Sequence, residues 1–194
     1  MRRAISSRIK CLIFIVALMF VVHGINVLMN GWLNVFGIIP RSEPHWFHIF
    51  TSPFIHGNWA HLTNNVISLV IFSALCLARS VVFYVVSSLF IISLTGSLVW
   101  LFGRDAIHIG ASGWVFGLWS LVIAMAWFDR RFINILTACV VFFFYGGMIY
   151  GVLPADPKIS FEAHLFGALS GIVCAFLYSV YVKWSKELFS GKGG

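Results

Sequence analysis

The sequence predicts an all-α polytopic membrane protein with six transmembrane helices. Of its 194 residues, 60% are hydrophobic and only 10% are charged, and the mean hydropathy is +0.96. This composition lies far outside that of a soluble domain of similar length. A helix needs about 20 mostly apolar residues to cross a bilayer. Six stretches of about this length occur, at residues 11–30, 61–79, 80–102, 112–128, 132–153 and 162–183.

These spans predict a single domain over residues 1–194. It consists of a cytoplasmic N-terminus at 1–10, a membrane core at 11–183 and a cytoplasmic tail at 184–194. The basic start of the chain also fits a signal peptide. However, the first apolar run is longer than a typical signal sequence and no A-x-A cleavage site follows it, so we expect an uncleaved first span.

The longest connection between spans, residues 31–60, has a mixed character. It is rich in large apolar side chains but is interrupted by prolines and charges, including Pro40, Arg41, Glu43, Pro44 and Pro53. Such a segment is typical of the membrane interface. We therefore expect a membrane-associated first loop.

Basic residues predict the orientation. With the N-terminus in the cytoplasm, the inner side collects ten of them and the outer side only three, a clear positive-inside bias. The inner set is Arg2, Arg3, Arg8, Lys10, Arg79, Arg130, Arg131, Lys183, Lys186 and Lys192, and the outer set is Arg41, Arg104 and Lys158. The net charge of +7 thus indicates orientation and attraction to anionic membrane lipids, and no nucleic-acid partner is expected.

No cofactor or metal site is predicted. The four cysteines lie in or at the inner ends of apolar stretches and form no CxxC motif, so we expect them to be unpaired packing residues. His56 and His61 are five residues apart, and no HExxH motif occurs. A channel, a transporter or a haem-binding protein remains an alternative class, but a transporter predicts internal repeats, and none is clear.

Polar residues stand at the starts of three spans that run in the same direction. They are His61, Asn64 and Asn65 on the second span, Ser112 on the fourth and His164 on the sixth. Each lies about one turn below the outer interface. Because polar side chains inside a membrane are costly and usually functional, their common depth predicts a site.

Ser112 and His164 suit each other chemically. A serine hydroxyl is a poor nucleophile unless a base activates it, and histidine is the usual base. A triad also needs a carboxylate behind the histidine. Every Asp and Glu near the spans, including Asp105, Asp156 and Glu162, lies at a boundary. The residues therefore favour a Ser-His dyad.

Small residues provide close helix packing. His164, Gly167 and Gly171 share one helical face, and Gly113 and Gly117 repeat the small-xxx-small pattern beside the serine. Such faces let membrane helices approach closely. We expect the fourth and sixth spans to cross there.

The other parts of an acyl-transfer site are also present. His61 and Asn65 share one face of the second span and can donate to an oxyanion, together with the amide of Ser112 at a helix N-terminus. Phe116, four residues after the serine, can pack on the imidazole of His164. Acyl transfer uses this set of groups.

Each residue alone has a simpler explanation. A serine at a helix start is usually an N-cap, a membrane histidine can bond a neighbouring carbonyl, and small-xxx-small patterns usually serve packing only. The joint pattern favours the functional interpretation.

The combined motifs resemble the rhomboid family of intramembrane serine proteases, specifically the compact bacterial GlpG type. They are His56-x4-His61-x3-Asn65, Gly110-Ala111-Ser112-Gly113 and Ala163-His164-x2-Gly167-x3-Gly171. The resemblance covers nearly the whole chain. Larger relatives of this type carry a cytoplasmic N-terminal domain, which we do not expect before the first span.

The resemblance implies a role for each matching residue. Ser112 is then the nucleophile and His164 the general base, His61 and Asn65 bind the oxyanion, and His56 supports the second span. Gly110, Gly113, Phe116, Gly167 and Gly171 are implied as supporting residues. Transmembrane proteins are the implied substrates, cut near the outer face of a bacterial inner membrane. A rhomboid-like protein that binds membrane helices without cutting them is the second alternative.

Overall fold

The described residues of the computed structural model, 2–156 and 159–190, form an all-α bundle and contain no β-strand. The helices run in chain order and are joined by short connections and four 3-10 turns. They are α1 (Arg2–Leu28), α2 (His48–Thr51), α3 (Trp59–Arg79), α4 (Val81–Phe102), α5 (Ser112–Phe128), α6 (Phe132–Tyr145) and α7 (Phe161–Ser190).

The predicted membrane bundle is confirmed. Five helical segments, those of α1, α3, α4, α6 with its following turn, and α7, are long and apolar enough to cross a membrane. The fourth predicted span is α5, an apolar helix of 17 residues. At 1.5 Å per residue it is about 25 Å long, slightly less than a typical hydrocarbon core.

Helix α5 lies at the centre of the bundle. Every residue from Gly113 to Val122 is buried, because α3, α4, α6 and α7 all pack around it. Its closest neighbour is α7. A Cβ atom on Gly167 would overlap the carbonyl of Gly113, and one on Gly171 would overlap the carbonyl of Gly117. The predicted glycine crossing is therefore present in the fold.

The first loop is folded onto the bundle. Its short helix α2 packs on α4 so closely that a Cβ on Gly96 would lie 2.6 Å from the Cβ of Ile49. His48 is buried, and its Nδ1 donates to the carbonyl of Gly37 at 2.9 Å. Trp46 and Phe47 stay exposed, as suits a loop at a membrane interface.

Three predicted boundaries differ from the structure. The first helix begins at Arg2, and the last continues to Ser190, so residues 184–190 are helical. The α-helical part of the fifth span ends at Tyr145 and continues as a 3-10 turn, Gly146–Val152, in a glycine-rich stretch. Lys158, Lys192 and the glycine-rich end of the chain lie outside the described residues.

Candidate active site

The residues predicted from the three motifs line one cavity. It has a volume of about 730 Å³, and its wall includes His61, Asn65, Ser112 and His164. The starts of α3, α5 and α7 meet there, because these helices run in the same direction. Residues up to 103 positions apart in sequence thus share one polar space within an apolar bundle.

Ser112 is the first residue of α5. The N-cap position belongs to Ala111, and no side chain caps this helix end. Ser112 lines the cavity instead. The simple N-cap explanation for this serine therefore does not hold in the structure.

His164 is held on two sides. Its Nδ1 donates to the carbonyl of Gly151 at 2.8 Å, and its ring stacks on Phe116 with the centroids 4.2 Å apart and the planes within 6°. A proton on Nδ1 leaves the lone pair of Nε2 as the acceptor. The backbone of the turn after α6 thus fixes the orientation of the His164 ring.

Ser112 and His164 share the cavity wall, but within the described part of the chain no hydrogen bond joins their side chains. A catalytic hydrogen bond is often long in a substrate-free site and shortens when substrate binds. The direct contact between them stays a prediction.

The predicted oxyanion residues lie beside the start of α5. Asn65 is buried, and one hydrogen of its Nδ2 is donated to the carbonyl of His61 at 2.9 Å, which leaves the second hydrogen for another acceptor. Gly110 has φ +111°, and a Cβ there would lie 2.6 Å from the His61 ring. Glycine at this position therefore fits both the turn and the imidazole.

His56 lies behind the cavity and is completely buried. Its Nε2 accepts from the amide of Ala111 at 3.4 Å, next to the candidate nucleophile. Burial, with a smaller contribution from neighbouring His61, lowers the pKa of His56 to about 3. The ring is therefore neutral near pH 7 and can accept the hydrogen bond. This arrangement agrees with the supporting role implied for His56.

Sequence reasoning missed two features of the site. One is Gly151, which acts through its carbonyl and so leaves no side-chain signal, although glycines at 146, 147 and 151 do indicate an irregular segment. The other is a polar cluster at the cavity rim. There Ser160 donates to His108 Nδ1 at 2.7 Å, while Arg104 pairs with the buried Glu162 at 3.6 Å.

Fold and site together define a multi-pass helical membrane protein whose polar cavity holds a serine and an oriented histidine. Residues 43–181 match the family model of the rhomboid domain, and the chain belongs to the rhomboid family.

Several curated proteins are similar to this chain. An uncharacterized protein of Mycobacterium tuberculosis is 32% identical over 89% of this chain and 76% of its own length. A chloroplastic rhomboid-like protein of Arabidopsis thaliana is 33% identical, over 76% of this chain and 58% of its own length. A Bacillus subtilis protein named as a candidate rhomboid protease is 29% identical, over 70% of this chain and 69% of its own length.

Proposed function

We propose that this protein is an intramembrane serine endopeptidase that cleaves transmembrane substrates with a Ser112-His164 dyad. The observation that carries the proposal is the fixed orientation of His164, whose Nδ1 is bonded to Gly151 and whose ring is stacked on Phe116 beside the cavity that Ser112 lines. Family membership supports the same chemistry.

The reaction follows from these groups. Ser112 Oγ attacks the scissile carbonyl while His164 Nε2 takes the hydroxyl proton. The imidazolium then gives this proton to the leaving amine as the C–N bond breaks, and an acyl-enzyme forms on the serine. Water from the cavity attacks the ester, again with His164 as base, and releases the new carboxylate. The Gly151 carbonyl favours the imidazolium that forms in each step.

Hydrogen-bond donors must stabilise the negative charge that develops on the attacked carbonyl oxygen. The free hydrogen of Asn65 Nδ2, the ring of His61 and the amide of Ser112 at the start of α5 are the proposed donors. Tyr145, the last residue of α6, and Met148, in the 3-10 turn that follows, also line the cavity. A substrate helix that approaches between α3 and α6 therefore comes into reach of Ser112.

The proposed location is a bacterial inner membrane, with both termini in the cytoplasm and the cavity open toward the periplasm. The charge bias supports it, because α1 begins on the basic side and α3, α5 and α7 begin on the opposite side. Cleavage then takes place near the outer face of the membrane.

A fluorophosphonate probe tests the proposal, because it reacts only with an activated serine. The folded protein in detergent should be labelled, and S112A should lose the label completely. S68A is the matched control, since Ser68 lines the same cavity but stands in the interior of α3. This variant should be labelled like the wild type.

Each other outcome contradicts the proposal. Loss of the label in S68A, with the label retained in S112A, would show that Ser112 is not the nucleophile. Absence of labelling in a folded wild-type protein would favour the alternative of a rhomboid-like protein that binds membrane helices without cutting them.

A further inference from the structure

A second large cavity lies at the end of the bundle opposite Ser112. It is a groove of about 650 Å³ between the C-terminal end of α5, the connection to α6, and the C-terminal half of α7. Because α5 is about 25 Å long, this groove lies roughly that far from the candidate active site. The catalytic proposal makes no use of it.

The groove has a cationic rim. Arg130, Arg131, Lys183 and Lys186 line it, together with a single carboxylate, Asp129. Asp129 is occupied by Arg131, whose Nε and Nη2 donate to its oxygens at distances of 2.6 to 3.1 Å. In the part of the chain that the structure describes, the other three cations form no ion pair. Positive charge therefore remains available on the rim.

The wall below the rim is apolar. Phe128, Phe176 and Val180 line it; Phe128 is the last residue of the apolar helix α5, and the other two lie in the candidate membrane span of α7. Trp127, which lines the groove, has 70% of its surface exposed, and Trp184, next to Lys183 in sequence, has 58% exposed. Exposed tryptophans of this kind mark the level of the membrane interface. The groove thus extends from the hydrocarbon region of the membrane, at its apolar wall, to the level of the lipid headgroups, at its rim.

One further contact shapes the rim. The guanidinium of Arg130 lies over the ring of Trp127, 5.2 Å from its centroid, and Arg130 Nε donates to the Trp127 carbonyl at 3.4 Å. The charge is therefore held beside the interface, opposite the exposed Lys183 and Lys186.

We propose that this groove binds one anionic phospholipid, with its phosphate between Arg130, Lys183 and Lys186 and an acyl chain along Phe128, Phe176 and Val180. Basic pockets between membrane helices suit acidic headgroups, and the apolar wall suits the attached chain. A soluble anion would use only the rim, and a neutral lipid only the wall. The proposed orientation puts the site in the cytoplasmic leaflet, but the binding does not depend on protease activity.

Native mass spectrometry of the delipidated protein in a neutral detergent tests the proposal. Dioleoyl phosphatidylglycerol is the probe, and dioleoyl phosphatidylcholine is the uncharged reference. The protein should retain one phosphatidylglycerol at concentrations where phosphatidylcholine does not bind. Each basic residue near a membrane surface contributes about fivefold to the binding of acidic lipid. The double variant K183Q/K186Q should therefore lose about 30-fold in affinity.

The matched control is R8Q/K10Q. It also removes two positive charges from the basic side of the bundle, but from α1 rather than from the groove. It should bind phosphatidylglycerol like the wild type. A second variant, V180W, fills the apolar part without a change of charge and should weaken binding as well.

Four results would overturn the proposal. Equally weakened phosphatidylglycerol binding in K183Q/K186Q and R8Q/K10Q would indicate an effect of general surface charge. Equal binding of phosphatidylglycerol and phosphatidylcholine would show that the basic rim does not recognise the headgroup. Displacement by glycerol 3-phosphate at the lipid's own concentration would indicate a site for free anions. A protein dimer that K183Q/K186Q abolishes would indicate a second copy of the chain in the groove.

Discussion

At the scale of single residues, the site depends on backbone groups as much as on side chains. The carbonyl of Gly151 orients His164, and the amide of Ala111 donates to His56. A Cβ on Gly151 would lie 2.7 Å from Phe116 Cζ and 3.3 Å from His164 Nδ1. A side chain at this position would therefore displace the stacked pair of rings, whereas glycine leaves them in contact.

The proposed role of Asn65 as an oxyanion donor can be tested by substitution. If its free hydrogen stabilises the oxyanion, N65A should reduce kcat for a reconstituted transmembrane substrate by about 10²- to 10³-fold, with little change in KM. The control is N64A, because Asn64 lines the same cavity but is exposed. A loss of similar size in N64A, or none in N65A, would contradict the assignment.

At the scale of elements, the crossing of α5 and α7 determines where the dyad can form. The two helices pack backbone to backbone at Gly113 with Gly167 and at Gly117 with Gly171. His164 lies one turn before Gly167, and Ser112 directly precedes Gly113. Close contact of the helices therefore brings the two reactive residues to one cavity.

The variant G171L tests this crossing. A Cβ at this position overlaps the carbonyl of Gly117 and the hydroxyl of Ser120, so α7 must move away from α5. We expect loss of fluorophosphonate labelling and a lower melting temperature, since overpacking of a buried contact costs about 1–3 kcal/mol. Both are measurable in detergent.

The control for this substitution is G24L. Gly24 lies within helix α1, and a Cβ there meets no atom within 4 Å. This variant should keep the labelling and the melting temperature of the wild type. Full labelling of G171L would show that the close approach of α5 and α7 is not required for an active serine.

The elements also show what the sequence could reveal. Helix positions follow from long apolar runs, and the crossing follows from glycines at helical spacing, so both were predictable. The glycines at 146, 147 and 151 indicate an irregular segment after Tyr145, but they do not show that the chain continues there as a 3-10 turn. The partner of His164 was missed for a related reason, since every residue offers a carbonyl and only the fold selects Gly151.

At the scale of the whole molecule, His56 connects parts that are distant in sequence. Its carbonyl accepts from His23 Nδ1 at 3.1 Å and from Asn26 Nδ2 at 3.2 Å, both on α1. Its ring accepts from the amide of Ala111, immediately before α5. The loop residue thus joins the first helix, the loop and the start of the central helix.

The burial of the His56 ring predicts that folding stability depends on pH. The pKa of His56 is lowered by burial to about 3, whereas an unfolded chain binds the proton near pH 6.5. The unfolded state therefore binds more protons between these values, and acid favours unfolding. The contribution of His56 to folding stability is complete above about pH 6.5 and decreases as the pH falls toward 3, by at most about 1.4 kcal/mol per pH unit.

Thermal unfolding of the wild type and of H56Q between pH 8 and pH 5 measures this contribution. The glutamine does not titrate, so stability in H56Q should decrease less steeply on the acid side, and parallel curves would contradict a neutral, buried His56.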